Sequence, residues 1–345
     1  MSYSLNITVL VGNGFDLSAG LETSTTRFMS TFAEARSDDD GPVGRLARRV
    51  IEDKPDKWAD FEKKLGEYTS ELESSEEDCV SAALDCKEAI DDALFKFIAS
   101  EDERITQEFI KANSTEVFES LAGWFDSLQP REQAAFTGDY SLPYSLDVRF
   151  VTFNYTSLLP RLYKEYGEDK HPIASGTGHI TELRLTGLAQ AHSSLDRDLV
   201  CGVNDVSQIA SKALAADTNV ATTFVKGEIQ KAFGSIDDSQ AVDAINSAHV
   251  LIIFGLSLGE TDARWWTKVV NLLKASSSRR VIIASTQATR THRNIVKLQR
   301  FSTDLKKKLL LQGGANEGEL RALSSRIYII PSSSILRFKE TLPKQ

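Results

Sequence analysis

The chain has 345 residues, of which 41% are hydrophobic and 26% are charged, and its formal net charge at pH 7 is -9. This balance is that of a globular protein and excludes a chain dominated by disorder. The negative charge disfavours a broad surface for phosphate backbones, so nucleic acid is not an expected partner.

A strand, a glycine turn and a helix open the chain. Residues 7–11 (ITVLV) are a β-branched apolar run that is typical of a buried strand. The glycine turn at residues 12–14 ends this run, and a helix follows over residues 15–32, with helical spacing in its later half, where Phe28 and Phe32 are four apart. Residues 39–140 then repeat apolar side chains at three and four positions without a β alternation, which predicts an all-helical insertion.

Strands return after residue 143. Strong apolar runs lie at residues 148–153, 250–254, 281–284 and 327–330, with weaker candidates at 183–188 and 199–203. Helical patterns fit between them, at residues 223–233, 240–247, 261–274 and 290–301. Alternating strands and helices predict an α/β fold, a doubly wound Rossmann-like parallel sheet. Its core would comprise residues 1–38 and 141–345, and the insertion residues 39–140.

The cysteines and the apolar runs indicate the compartment. Cys79, Cys86 and Cys201 are odd in number and form no C-x-x-C pair, which disfavours disulfides and structural zinc. The first residues lack a signal-peptide pattern, and the apolar runs are too short to span a bilayer. We therefore expect a cytoplasmic protein without a membrane partner and without a bound metal.

The first candidate site is Gly12-Asn13-Gly14, followed by Asp16. A glycine turn between a strand and a helix favours a phosphate, although a plain turn has the same pattern. No G-K-[ST] sequence follows, so a P-loop is excluded. Asp16 could accept hydrogen bonds from ribose hydroxyls or could simply cap the helix.

Two further sites follow predicted strands. Asn154 lies at the carboxyl end of a strand, where parallel sheets bind ligands, and its amide could hold water or ribose or form a turn. His192 is a candidate base in a loop, but its position does not separate it from His179 or from a structural histidine.

A glycine-rich turn after residues 250–254 is the fourth site. The stretch from Gly255 to Gly259 matches the G-x-S-x-G pattern around Ser257. The hydrolase order requires an acid and then a histidine downstream, and only His292 follows, inside a predicted helix. A serine hydrolase is therefore disfavoured, and a backbone-rich pocket remains the expectation.

Together these segments resemble the AbiH family, which is named for bacteriophage abortive infection. The family shows a G-N-G-F-D segment, a W-x-D-x-E-like element, an F-N-Y-T segment and a G-x-S-L-x-x-x-D segment. The matching residues are 12–16 with Leu21, Thr23 and Ser24, then Trp58, Asp60 or Phe61, and Glu62, then 153–156, and finally Gly255, Ser257, Leu258 and Asp262. His192 aligns with a family histidine, and Ser193 stands where the family has glycine.

The order of the segments is also similar, more distantly, to bacterial sirtuin-like NAD hydrolases of phage defence, with Thr156 in place of an aspartate. This resemblance implies a sirtuin-like fold and NAD as substrate or ligand. Asn154 would position water or ribose at the nicotinamide glycosidic bond, and His192 would deprotonate or orient a ribose hydroxyl. The implied cofactor-binding residues are Gly12, Asn13, Gly14, Asp16, Thr23, Thr152, Tyr155, Gly255, Ser257 and Asp262.

Two hypotheses of different class follow. The leading one is a phage-defence effector that binds NAD or a related nucleotide and hydrolyses it. The alternative is a non-catalytic nucleotide-sensing or interaction module, in which the helical insertion binds a partner protein of the defence system or a second copy of the chain. A nuclease is disfavoured by the acidic charge and by the lack of a carboxylate cluster for metal.

Overall fold

The computed structural model describes residues 4–55, 57–140, 145–173, 182–191, 200–232, 237–291 and 294–343. These residues form one mixed α/β structure around a mostly parallel sheet of seven strands. The strands are β1 (Ser4–Val11), β2 (Ser145–Thr152), β3 (Lys170–Pro172), β4 (Glu182–Gln190), β5 (Val250–Phe254), β6 (Arg280–Ser285) and β7 (Ile327–Pro331).

The strand order is β3-β4-β2-β1-β5-β6-β7. All neighbouring strands run parallel except the pair β3 and β4. β1 lies between β2 and β5, with Val11 level with Thr152 on one side and with Phe254 on the other. The carboxyl ends of these three strands therefore meet at one edge of the sheet, where the chain continues into the candidate sites.

Helices make up most of the remaining described structure. Those between β1 and β2 are α1 (Gly14–Ala19), α2 (Thr25–Glu34), α3 (Pro42–Asp53), α4 (Trp58–Ser75), α5 (Cys79–Asp102), α6 (Gln107–Glu119) and α7 (Pro130–Asp139). The later ones are α8 (Leu158–Tyr166), α9 (Lys212–Ala216), α10 (Thr218–Phe224), α11 (Lys226–Ala232), α12 (Asp237–Ser247), α13 (Ala263–Ala275), α14 (Thr286–Thr291), α15 (Ile295–Gln312) and α16 (Glu317–Ser324). Among the described helices, none is both long enough and apolar enough to cross a membrane.

Alternate residues of the central strands contribute to two hydrophobic clusters. Val9 and Ile252 belong to the cluster that contains α6 and α8, whereas Leu10 and Ile253 belong to the cluster that contains α12 and α13. Because successive side chains of a strand point to opposite faces, each face of the sheet is covered by helices. The strands are buried on both faces, which explains their continuous β-branched and aliphatic sequences.

A third hydrophobic cluster joins α2–α5 to the stretch that follows residue 200. Phe61 and Leu65 of α4 pack there with Cys201, Val203 and Phe224. The helix α6 and the segment up to Phe136 instead belong to the cluster of the sheet. The helices between β1 and β2 therefore contribute to two separate cores.

Three local features can be compared with the expectations from the sequence. The helical spacing expected in the later half of residues 15–32 is confirmed by α2. The short helix α1 precedes it as a separate element, because Gly20 adopts a left-handed conformation with φ 94° that ends α1, and Ser24 caps α2 by accepting from the Arg27 amide. The described residues 200–203 of the expected strand 199–203 form only an isolated bridge, from Val203 to Val225. The short antiparallel edge strand β3 was not expected, because its sequence Lys-His-Pro carries no β pattern.

Candidate functional site

A cavity of about 870 Å³ opens at the carboxyl ends of the parallel strands. Its walls include the turns after β1, β2 and β5, the start of α4, and the chain that follows β7. The volume lies in the range of sites for small molecules and cofactors. Eight of the residues predicted for the site line it: Asn13, Gly14, Asp16, Asn154, Tyr155, Gly255, Ser257 and Asp262.

Asp16 is the centre of a hydrogen-bonded unit that joins the first two candidate sites. Its side chain is 1% exposed and accepts from Asn154 Nδ2 and from Thr156 Oγ1, each at 2.8 Å. Burial raises the pKa of Asp16 from its ordinary value of 3.8 to about 7. Helix α1 and the chain after β2 are therefore held together by a carboxyl group that is close to its pKa at neutral pH.

Asn154 has an additional unmet hydrogen-bonding group. The residue is 5% exposed, and its Oδ1 has no hydrogen-bond partner among the described residues. Thr152 Oγ1 accepts from the backbone N–H of Asn154 at 3.1 Å and fixes the backbone of this turn. A buried acceptor without a partner is costly, and such groups in native proteins commonly meet a water or a ligand.

The polar side-chain atoms of Asn13 and Thr23 form hydrogen bonds within the protein. Asn13 Nδ2 donates to the Thr23 carbonyl at 2.8 Å, and Thr23 Oγ1 donates to Asn13 Oδ1 at 2.6 Å. The indole of Trp58, at the start of α4, donates to the same carbonyl at 3.2 Å. These bonds connect the loop after α1 to the cavity wall, and Thr23 itself does not line the cavity.

The glycines of the first turn are required by contacts within the protein. The amides of Gly12 and Gly14 donate to the carbonyls of Phe254 and Gly255, at 2.8 and 3.0 Å. A Cβ atom on Gly14 would lie 2.5 Å from Gly255 Cα. Gly255 has φ 70°, and Leu258, in the same turn, has a positive φ of 51°. Close packing of the two turns thus explains these glycines without a ligand, and phosphate binding by them stays a prediction.

A buried ion-pair network closes one side of the cavity. Lys226 Nζ, at the start of α11, lies 2.8 Å from Glu62 Oε2 of α4 and 3.0 Å from Asp262 Oδ1. The three side chains are 3%, 5% and 11% exposed respectively. Burial raises the pKa of Glu62 to about 7, although Lys226 opposes this shift. Burial disfavours the charge on Lys226, but Asp262 and Glu62 hold its pKa above its ordinary value.

The remaining predicted residues have structural contacts. Tyr155 Oη donates to the Val200 carbonyl at 2.9 Å, and burial raises its pKa well above the ordinary value. Ser257 lines the cavity, and its carbonyl accepts from Lys308 at 3.4 Å. His192, His179 and His292 lie outside the described residues. His249 accepts from the Asn6 amide at the opposite, amino edge of the sheet.

Two residues of the network, Glu62 and Lys226, have no role predicted from the sequence. Glu62 belongs to the W-x-D-x-E-like element, which predicts no function for it. Lys226 carries no signal in the sequence, because a single lysine near a helix start is usually exposed. Only the fold brings it against two carboxylates that lie 164 and 36 positions away in the chain.

The fold and the cavity define an α/β protein with a ligand-sized site at the carboxyl edge of a mostly parallel sheet, in which buried polar groups lie within a mainly apolar lining. The model of the family described as bacteriophage abortive infection AbiH matches residues 8–284, and the chain belongs to this family. Membership places it among proteins of abortive infection, a defence against phage. A search of curated proteins gave no match. The matched residues extend from β1 into β6, so the cavity wall after β6 lies beyond them.

Proposed function

We propose that the cavity binds NAD or a related nucleotide, and that the protein hydrolyses the bond between nicotinamide and ribose. The observation that carries this proposal is the position of the cavity. Without β3, the strand order β4-β2-β1-β5-β6-β7 corresponds to the 3-2-1-4-5-6 order of doubly wound, Rossmann-like sheets. In such sheets a dinucleotide lies beside the first strand, where the order reverses, and the cavity begins there, at Asn13 and Gly14.

The chemistry of the polar groups supports cleavage at a sugar. In the proposed reaction the C1′–N1 bond breaks, and its electron pair neutralises the pyridinium nitrogen of the departing nicotinamide. Water then adds to the positively charged ribose carbon and loses a proton, which leaves ADP-ribose. Buried carboxylates stabilise such an oxocarbenium-like state, and Asp16 and Glu62 both line the cavity.

Asn154 has the hydrogen-bonding capacity for a positioning role. Its Nδ2 is committed to Asp16, and its buried Oδ1 can accept from the attacking water or from a ribose hydroxyl. His192 would deprotonate or orient a ribose hydroxyl, as the resemblance to sirtuin-like hydrolases implies. Positioning and electrostatics would carry most of the rate, because nicotinamide is a good leaving group.

The alternative function, nucleotide sensing without catalysis, is favoured by a different observation. The buried charges of the site bind one another: Asp16 accepts from two side chains, and Lys226 lies between two carboxylates. A cavity organised in this way could hold a nucleotide without moving a proton. In that case the helices α2–α5 would transmit binding to a partner protein or to a second copy of the chain.

Calorimetric titration with NAD and with ADP-ribose tests the shared part of both functions. The wild-type protein should bind both ligands, and Asn154→Ala should bind them more weakly, because a buried acceptor is lost. His249→Ala, at the amino edge of the sheet, should bind as the wild type does. Absence of binding to the folded wild-type protein would refute a nucleotide site in this cavity.

A further inference from the structure

The buried charged side chains of the cavity differ in sign from the exposed ones. Among the described residues that line it, the buried ones are Asp16, Glu62, Asp262 and Lys226. Three carboxyl groups therefore face one ammonium group, and the ammonium is already bound to two of them. The interior holds more acidic groups than it can neutralise from its own described residues.

The exposed charged residues of the lining, which we call its basic rim, have the opposite charge. They are Lys57, which is exposed, and Arg337, whose side chain is 54% exposed. Arg337 also lies 2.7 Å from Glu116, so part of its charge is balanced, and Lys57 contributes a cation next to Trp58. The buried charged groups of the lining are thus mainly acidic and form its interior, whereas the two exposed ones are basic.

A second observation indicates that the interior receives a ligand. Asn154 lines the cavity, is 5% exposed, and has an Oδ1 atom without a partner among the described residues. This acceptor belongs to the same unit as Asp16, because Asn154 Nδ2 donates to that carboxyl group. Besides its charged groups, the acidic interior therefore contains a buried acceptor that a ligand could bind.

We propose that the interior of the cavity selects a cationic aromatic ring, the oxidised pyridinium of NAD⁺, over the neutral dihydropyridine of NADH. The diphosphate of the same molecule lies toward the basic rim. This inference rests on the proposed function, because it assumes a nicotinamide nucleotide in the cavity. It adds the direction in which the nucleotide enters and the redox form that it must have.

The raised pKa values mean that two of the acidic groups are partly protonated at neutral pH before a ligand binds. Burial is the main reason that the pKa of Asp16 rises to about 7, and Asp102 and Glu101 of α5 face it and add to the shift. Burial likewise raises the pKa of Glu62 to about 7, against the opposing charge of Lys226. A cation bound beside these groups favours their ionised forms, and a neutral ring does not.

Two nucleotides of nearly equal shape provide the test. The full chain is titrated calorimetrically with NADH and with carbocyclic NAD⁺, which keeps the pyridinium but cannot form the oxocarbenium ion and so survives the titration. The carbocyclic NAD⁺ should bind at least about tenfold more tightly, because a unit charge in a partly desolvated site is worth that factor. Equal affinities would overturn the charge selection and leave nucleotide binding standing, whereas no binding of either ligand would overturn the proposed function as well.

Two substitutions test which residues cause the preference for the cationic ring. Glu62→Gln should weaken carbocyclic NAD⁺ several-fold and leave NADH unchanged, because the amide keeps the shape and removes the charge. Lys57→Gln should weaken both ligands by the same factor, because both carry the diphosphate. If Glu62→Gln does not fold, Asp16→Asn gives the same comparison. A loss of NADH affinity as large as that of carbocyclic NAD⁺ in the interior variants would contradict the inference.

Discussion

Replacing Asp16 with asparagine should change how the stability of the protein depends on pH. In the folded protein burial raises the pKa of Asp16 from 3.8 to about 7. Between these values the folded state holds a proton that the unfolded state has released, so stability falls as pH rises through this window. The loss is complete above the folded pKa and amounts to roughly 4 kcal/mol, since one pKa unit corresponds to about 1.4 kcal/mol.

The measurable part of this effect lies between about pH 5 and about pH 8. At the lower pH the titration of Asp16 has cost the wild-type protein roughly 2 kcal/mol of stability, and at the higher pH roughly 4 kcal/mol. The Asp16→Asn variant lacks the titration, so its stability relative to the wild type should rise by roughly 2–3 kcal/mol across the range. The new amide still accepts one of the two hydrogen bonds, so rearranging the other costs about 1 kcal/mol at every pH.

Urea denaturation at the two pH values measures the difference. Other buried acids, Glu62 among them, also titrate in this range, so the comparison is between variant and wild type and not between pH values alone. Asp304→Asn, at an exposed position of α15, provides the matched control and should follow the wild-type profile. Parallel profiles for Asp16→Asn and the wild type would show that Asp16 titrates normally, and the reasoning about its burial would be refuted.

Three further outcomes are expected. Gly14→Ala should lower stability by about 1–3 kcal/mol in thermal unfolding, because its Cβ would meet the neighbouring turn, whereas Gly138→Ala, in open space on α7, should be neutral or stabilising. Lys226→Met should cost about 3–5 kcal/mol in urea denaturation, because two carboxylates stay buried without their cation. His192→Ala should reduce NAD cleavage by roughly 100-fold while His249→Ala leaves it unchanged; a loss in the His249→Ala variant alone would contradict the site.

Much of the sheet could be predicted because its strands are buried on both faces. The runs at β1 and β5 are continuous and β-branched, and each is followed by a glycine turn that the sequence shows directly. β3 could not be predicted, since its three residues are polar or proline and it pairs only with β4. The end of α1 at Gly20 could not be predicted, because the helical spacing of the sequence covers only the residues of α2.

The candidate site could be predicted in part for a similar reason. Side chains that follow parallel strands meet at one edge, which is why the sequence predicts both Asp16 and Asn154 as site residues, and the structure joins them by a hydrogen bond. Lys226 could not be found, because its importance comes from two partners that are distant in sequence. The role of Gly12 and Gly14 in packing was hidden too, since a phosphate and a neighbouring turn impose the same requirement for glycine.

Release of nicotinamide from NAD by the purified protein is the measurement that tests the account most directly. Nicotinamide and ADP-ribose are separated by chromatography after incubation, with and without an extract of phage-infected cells to supply an activator. We predict that the wild-type protein releases the two products in equal amounts. Asn154→Ala should be slower by roughly 100-fold or more, because one positioning group is lost. If the wild-type protein binds NAD but releases no nicotinamide even with the extract, hydrolysis is wrong, and nucleotide sensing takes its place.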